Sequence, residues 1–169
     1  MRITQLIRAP DIATLLNATF GFFAMIVGAS GEIRAAAVFI LAAAGFDYLD
    51  GKIARLTGRS GDFGKQLDSL ADTVSFVVAP AFLGFAYGLR TTTGVLCLSL
   101  FVSCGILRLA RFNITKVSGF EGVPTTANGI FLAVVFLAGP KSINPHLLCS
   151  AYATLAVLMV SKIRVTKIK

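Results

Sequence analysis

The chain has 169 residues, 56% of them hydrophobic and only 14% charged, with a formal net charge of +8 from 16 Lys and Arg against 8 Asp and Glu. Soluble domains carry about 25% charged residues, and disordered chains are poor in apolar ones, so this composition excludes both classes. A bilayer span takes about 20 apolar residues; the length therefore predicts an all-α polytopic membrane bundle of about six transmembrane helices, one domain over residues 1–169, with its basic excess in cytoplasmic loops rather than on a nucleic-acid surface.

The N-terminal stretch Met1–Pro10 is short, polar and basic, and no small-residue cleavage site follows it, so no cleavable signal is expected. Apolar runs predict spans over Ile12–Gly28, Ile33–Ile53, Leu67–Leu89, Thr92–Ala110, Thr126–Gly139 and Pro145–Ile163. The fifth is short and bracketed by Pro124 and Pro140. Cys97, Cys104 and Cys149 lie inside apolar runs at no zinc or redox spacing, which reads as packing thiols. His146, the single histidine, is expected at an outer interface. The sequence carries no internal repeat and no linker.

The basic residues segregate by loop. Arg2 and Arg8, then Lys52, Arg55, Arg59 and Lys65, then Arg108, Arg111 and Lys116, then Lys162, Arg164, Lys167 and Lys169 fall on one side of a six-span layout. Only Arg34, Arg90 and Lys141 fall on the other. Cytoplasmic loops are the basic ones, so both termini are expected in the cytoplasm. The tail from Lys162 to Lys169 is suited to anionic headgroups.

Five of the eight acids lie between Asp47 and Asp72. Asp47 and Asp50 are three apart at the end of one apolar helix, and Asp68 and Asp72 are four apart at the start of the next. Either spacing puts both carboxylates on one helical face. Ionisable groups at membrane depth are costly and mark functional sites. Clustered carboxylates suit a hard divalent cation such as Mg²⁺, Mn²⁺ or Ca²⁺; the plainer alternative is a solvated loop paired with neighbouring Lys and Arg. Gly51 and Gly64 would allow close approach of a ligand or of another helix.

The full pattern reads Asp47-x2-Asp50-Gly51-x2-Ala54-Arg55-x8-Gly64-x3-Asp68-x3-Asp72. It resembles the signature of the CDP-alcohol phosphotransferases at every position. The segment Asp11-Ile-Ala-Thr14-Leu-Leu-Asn17, followed by Gly21, is similar to that family's opening helix. Leu107-Arg108-Leu-Ala-Arg111-Phe-Asn113, followed by Phe120-Glu-Gly122-Val-Pro124, resembles its phosphatidylserine or archaetidylserine synthase branch.

The resemblance implies transfer of a phosphatidyl-type group from a CDP-linked lipid to the hydroxyl of L-serine, with release of CMP. It implies that Asp47, Asp50, Asp68 and Asp72 hold two divalent cations, Mg²⁺ or Mn²⁺, and that Asp72 is also the base. It implies a CDP pocket of Asp50, Gly51, Ala54, Arg55, Gly64 and Asp68, with Asn17 beside them, and a homodimer. Arg108 and Arg111 read either as a clamp for the acceptor or a lipid phosphate, or as topology charges at a helix end. Asn113, Glu121, Thr125 and Thr126 are nearby polar groups without a role.

Competing readings are a same-family transferase acting on glycerol phosphate or inositol phosphate, a membrane prenyltransferase, and a divalent-cation transporter. Prenyltransferase Asp-rich motifs lie far apart in the chain, whereas here they share one hairpin. A transporter would hold its carboxylates near the bilayer midplane.

Overall fold

The apolar runs form six helices in a computed structural model that describes residues 9–57, 61–114, 120–139, 143–161 and 164–165. They are α1 (Ala9–Ala29), α2 (Ile33–Thr57), α3 (Asp62–Tyr87), α4 (Thr92–Ile114), α5 (Thr125–Ala138) and α6 (Pro145–Val160). Of the residues in the charge count, Arg2, Arg8, Arg59, Lys116, Lys141, Lys162, Lys167 and Lys169 lie outside the described residues.

Four of the five breaks have a local cause among the described residues. Between α1 and α2 the chain turns at Gly31, whose φ of 87° is natural only to glycine. The end of α3 is closed by Gly88 at φ 146°, its N–H bonded to the Gly84 carbonyl at 3.3 Å. Pro124 precedes α5, and Pro145 opens α6 behind Asn144, whose side chain accepts from the His146 N–H at 2.9 Å.

Helices α2 and α4 run four residues past their expected spans, to Thr57 and Ile114, and one further helix and two strands depart from the sequence expectation. Helix α3 starts at Asp62, five residues before the apolar run at Leu67, because its first turns are amphipathic and carry Lys65, Gln66 and Asp68. Two short strands, β1 (Phe120–Glu121) and β2 (Arg164–Val165), pair antiparallel with Phe120 opposite Val165. They tie the α4–α5 connection to the segment after α6, at the end of the bundle where the Asp-rich motif lies.

The interior holds small residues and a few large ones: Ala24, Ala36, Ala37, Ala43, Phe76, Phe101, Leu132 and Tyr152 are buried. Many large apolar side chains point outward instead, among them Phe22, Ile26, Leu96, Leu100, Phe131 and Leu147. Small residues inside with large apolar ones outside is the packing of a bundle solvated by lipid. By length and composition α1, α3 and α4 are apolar enough to cross a membrane. Helix α2 carries charges at both ends, and α5 and α6 have 14 and 16 residues.

Helix α3 is not α-helical throughout. Residues Thr73–Val78, directly after Asp72, widen into a π-helical segment in which the Ala79 N–H bonds back to the Val74 carbonyl. Pro80 follows, and its ring and missing N–H disfavour a regular turn there. Three helices press on this segment through glycine. A Cβ at Gly21 of α1 would lie 2.6 Å from Ser75 Cα, one at Gly105 of α4 2.6 Å from Val77 Cγ1, and one at Gly129 of α5 3.0 Å from Phe76 Cα. The Ser75 hydroxyl also donates to the Asn17 carbonyl at 2.8 Å. The position of Asp72 is thereby held by α1, α4 and α5 together.

Candidate active site

Helix α1 packs against both α2 and the first turns of α3. Its polar residues Asp11, Thr14 and Asn17 recur every third position, so they form one stripe facing that junction. All three are buried, as are Asp50 and Asp72. The Thr14 hydroxyl donates to Asp50 Oδ2 at 2.7 Å, and the Asn17 amide donates to Asp72 Oδ1 at 3.3 Å. One short stripe on α1 thus orients a carboxylate from α2 and another from α3.

Three of the four signature acids converge. One carboxylate oxygen from each of Asp47, Asp50 and Asp68 lies within 4.8 Å of the other two. Asp72 stands one helical turn beyond Asp68 and outside this trio, within hydrogen-bonding reach of Asp47. Asp47 also reaches the Thr126 side chain of α5. The Asp68 Oδ1 atom is buried without a hydrogen-bond partner. A buried, unpartnered carboxylate oxygen beside two more carboxylates is costly in itself, and oxygen-only donors at this separation fit a hard divalent cation. The aspartate cluster is therefore consistent with a metal site.

A cleft of about 350 Å³ opens beside the trio. Asp50, Gly51, Ala54, Gly64 and Asp68 line it, five of the seven residues expected at a CDP pocket. Asp11, Thr14 and Lys65 also line it, with Pro10, Gly61 and Asp62. A Cβ built on Gly51 would meet nothing within 4 Å, so the glycine leaves room that the protein itself does not fill. At Gly64 a Cβ would come 3.1 Å from Asp11 Oδ1. The two remaining expected residues sit elsewhere. Asn17 is on Asp72, away from the cleft wall, and Arg55 is exposed with its Nε–H donating to the Gly51 carbonyl at 2.9 Å.

The two arginines of α4 part company. Arg108 is buried, within Coulombic reach of Asp72, and its Nη1 donates to the Thr125 hydroxyl at 3.3 Å. Arg111 turns to the end of α6 and donates to the Val160 and Ser161 carbonyls, each at 3.4 Å. Asn113 ties α4 to α3, accepting from Ser69 Oγ at 3.1 Å and donating to Gln66 Oε1 at 3.3 Å. The side chain of Glu121 lies outside the described residues.

Sequence reasoning left Thr14 and Lys65 without a part in the site. The three-residue recurrence of polar groups in an otherwise apolar α1 was the available signal for Thr14. Lys65 stands next to Gly64 of the motif.

Residues 7–163 match the profile of a family described as CDP-alcohol phosphatidyltransferase. The chain belongs to this family. Among CDP-alcohol phosphatidyltransferases it is 37% identical to the archaetidylserine synthase of Methanothermobacter thermautotrophicus, over 99% of this chain and 73% of that protein. It is 36% identical to the CDP-diacylglycerol–serine O-phosphatidyltransferase of Bacillus subtilis, over 92% of this chain and 88% of that protein. The enzyme of that name from Saccharomyces cerevisiae is 45% identical over 68% of this chain, which spans about half of the yeast protein, 48%.

Proposed function

We propose that this CDP-alcohol phosphatidyltransferase moves a phosphatidyl-type group from a CDP-linked lipid, either CDP-diacylglycerol or CDP-archaeol, to the hydroxyl of L-serine and releases CMP. The observation that carries this reading is the convergence of Asp47, Asp50 and Asp68 beside a cleft of about 350 Å³, with Asp72 one turn beyond Asp68. The serine assignment draws on the relatives, whose names are those of serine and archaetidylserine transferases.

In this reading Asp47, Asp50, Asp68 and Asp72 hold two divalent cations, Mg²⁺ or Mn²⁺. Bound there, such ions supply neutralisation of the pyrophosphate charge and of the departing CMP. The protein's own groups do the rest. Gly51, Ala54 and Gly64 shape the cleft for CDP, and Lys65 adds a cation to its wall. Arg55, exposed on the next turn, contributes a planar fork to the donor phosphates once it leaves the Gly51 carbonyl. Asn17 belongs to the base rather than to the nucleotide. Its amide holds Asp72 Oδ1 and so orients the carboxylate that takes the proton.

Asp72 receives the serine hydroxyl proton as the oxygen attacks phosphorus. The new P–O bond forms to serine, the bond to the CMP oxygen breaks, and CMP leaves with that electron pair. Positioning and electrostatics supply most of the acceleration in such transfers. Arg108, buried near Asp72, belongs to the acceptor side.

The same reading has all six helices crossing the membrane as a single domain over residues 1–169, with both termini and the active site cytoplasmic, and a homodimer as the assembly. The segregation of thirteen of the sixteen basic residues supports the orientation. The pairing of β1 with β2 at the Asp-rich end is in keeping with it.

The test is CMP release by purified protein given CDP-lipid, Mg²⁺ or Mn²⁺ and a panel of labelled alcohols. Serine-dependent release supports the assignment. Release with glycerol phosphate or inositol phosphate alone moves the chain to another acceptor, and cation flux without CMP release replaces the enzyme by a transporter.

A further inference from the structure

Four buried side-chain atoms among the described residues have no hydrogen-bond partner: Asn17 Oδ1, Asp68 Oδ1, Arg108 Nε and Asn128 Nδ2. They divide by chemistry and by position. The two acceptors are on α1 and α3, beside the acidic cluster, where a cation would satisfy them. The two donors are on α4 and α5. Buried donors without acceptors are costly and rare, so this second pair calls for an anion.

Arg108 is 7% exposed and Asn128 1% exposed, so neither is satisfied by bulk water. They are linked through Thr125, which is fully buried and accepts from Arg108 Nη1 at 3.3 Å. Thr125 and Asn128 are three apart and share one face of α5. Arg111, the other cation of this region, spends donors on the carbonyls of Val160 and Ser161. Arg108, whose guanidinium carbon lies 5.7 Å from the Phe112 ring centroid, keeps its Nε–H buried and unpartnered within Coulombic reach of Asp72.

Which anion belongs there follows from the geometry of transfer. The attacking and leaving oxygens must be roughly in line through phosphorus. The nucleotide cleft is walled by α1, α2 and the start of α3. Arg108, Thr125 and Asn128 are on α4 and α5, so they serve the group that attacks rather than the group that leaves. Resting on the proposed serine transfer, we propose that Arg108 and Asn128, with Thr125 as the bridge, form a subsite for the α-carboxylate of the amino-acid acceptor. The subsite selects acceptors carrying an oxyanion next to the nucleophilic hydroxyl. A donor-lipid phosphate presents similar chemistry, and the two sources are separated by which KM responds.

The test measures KM for L-serine and for CDP-lipid separately in Arg108→Gln and Asn128→Asp, with L-serine methyl ester and ethanolamine as acceptors lacking the carboxylate. A charged hydrogen bond lost between buried groups predicts a rise of about tenfold or more in KM for serine. The KM for CDP-lipid should stay within about twofold of wild type. The preference of wild type for serine over its methyl ester should collapse in both variants. Asn128→Asp keeps the side-chain size and sets a negative charge against the carboxylate, so it decides the matter if Arg108→Gln does not fold. A raised KM for CDP-lipid with serine unchanged assigns the subsite to the lipid phosphate and overturns the proposal. A fall in kcat with both KM values unchanged overturns it too, as a merely structural role. Wild-type protein releasing no CMP with serine instead defeats the underlying assignment of function.

Discussion

The amide of Asn17 donates to Asp72 Oδ1 at 3.3 Å, joining residues 55 positions apart in the chain. It makes α1 part of the reaction centre, although α1 contributes none of the four signature carboxylates. A hydrogen bond to a charged group is worth about 1.5–3 kcal/mol. Asn17→Ala should therefore lower kcat by about ten- to a hundredfold. The KM for CDP-lipid should change little, because Asn17 is not on the cleft wall. Steady-state kinetics with each substrate varied in turn would show this split.

Asp72 and Asp68 should be separable. Asp72→Asn should abolish turnover while CDP still raises the thermal stability of the protein, since Asp72 stands outside the three-carboxylate cluster. Asp68→Asn removes a cluster oxygen that has no other partner. It should weaken metal-dependent stabilisation as well as activity. Thermal unfolding with and without CDP and Mg²⁺ distinguishes the two.

Divalent cations should stabilise the resting protein. Three carboxylates with oxygens within 4.8 Å of one another repel until a cation intervenes. A ligand at a hundredfold its Kd adds about 2.7 kcal/mol. Chelation should lower Tm reversibly in wild type and much less in Asp68→Asn. An equal effect in both would remove the cluster as the metal site.

Glycines of the same sequence type should behave oppositely. At Gly51 a Cβ meets nothing, so Gly51→Ala should fold normally and raise the KM for CDP-lipid. At Gly21 a Cβ would strike the Ser75 backbone at 2.6 Å. Overpacking of this kind costs about 1–3 kcal/mol, so Gly21→Ala should lower Tm and disturb the placement of Asp72. Paired melting curves and KM values test both substitutions together.

The Asp-rich hairpin was legible because helical spacing alone puts Asp47 with Asp50 and Asp68 with Asp72 on common faces. The six helices were legible for the similar reason that apolar runs ended at Gly31, Gly88, Pro124 and Pro145 announce themselves. What escaped was tertiary. Spacing treats Arg108 and Arg111 alike, and only the packing of α5 and α6 sends one to the Thr125 hydroxyl and the other to the Val160 carbonyl. The π-helical segment escaped because Pro80 allows several accommodations, and the pressure of Gly21, Gly105 and Gly129 on it is invisible in a linear pattern. The early start of α3 escaped because hydropathy is blind to an amphipathic first turn.

The most direct test of the account is the product formed by the purified chain from CDP-lipid and labelled L-serine with Mg²⁺ or Mn²⁺, compared with Asp72→Asn. The account predicts equimolar CMP and a serine-labelled phospholipid from wild type, and neither from the variant. Labelled lipid from the variant at the wild-type rate would contradict the role of Asp72, and no serine-labelled lipid from wild type would contradict the transfer itself.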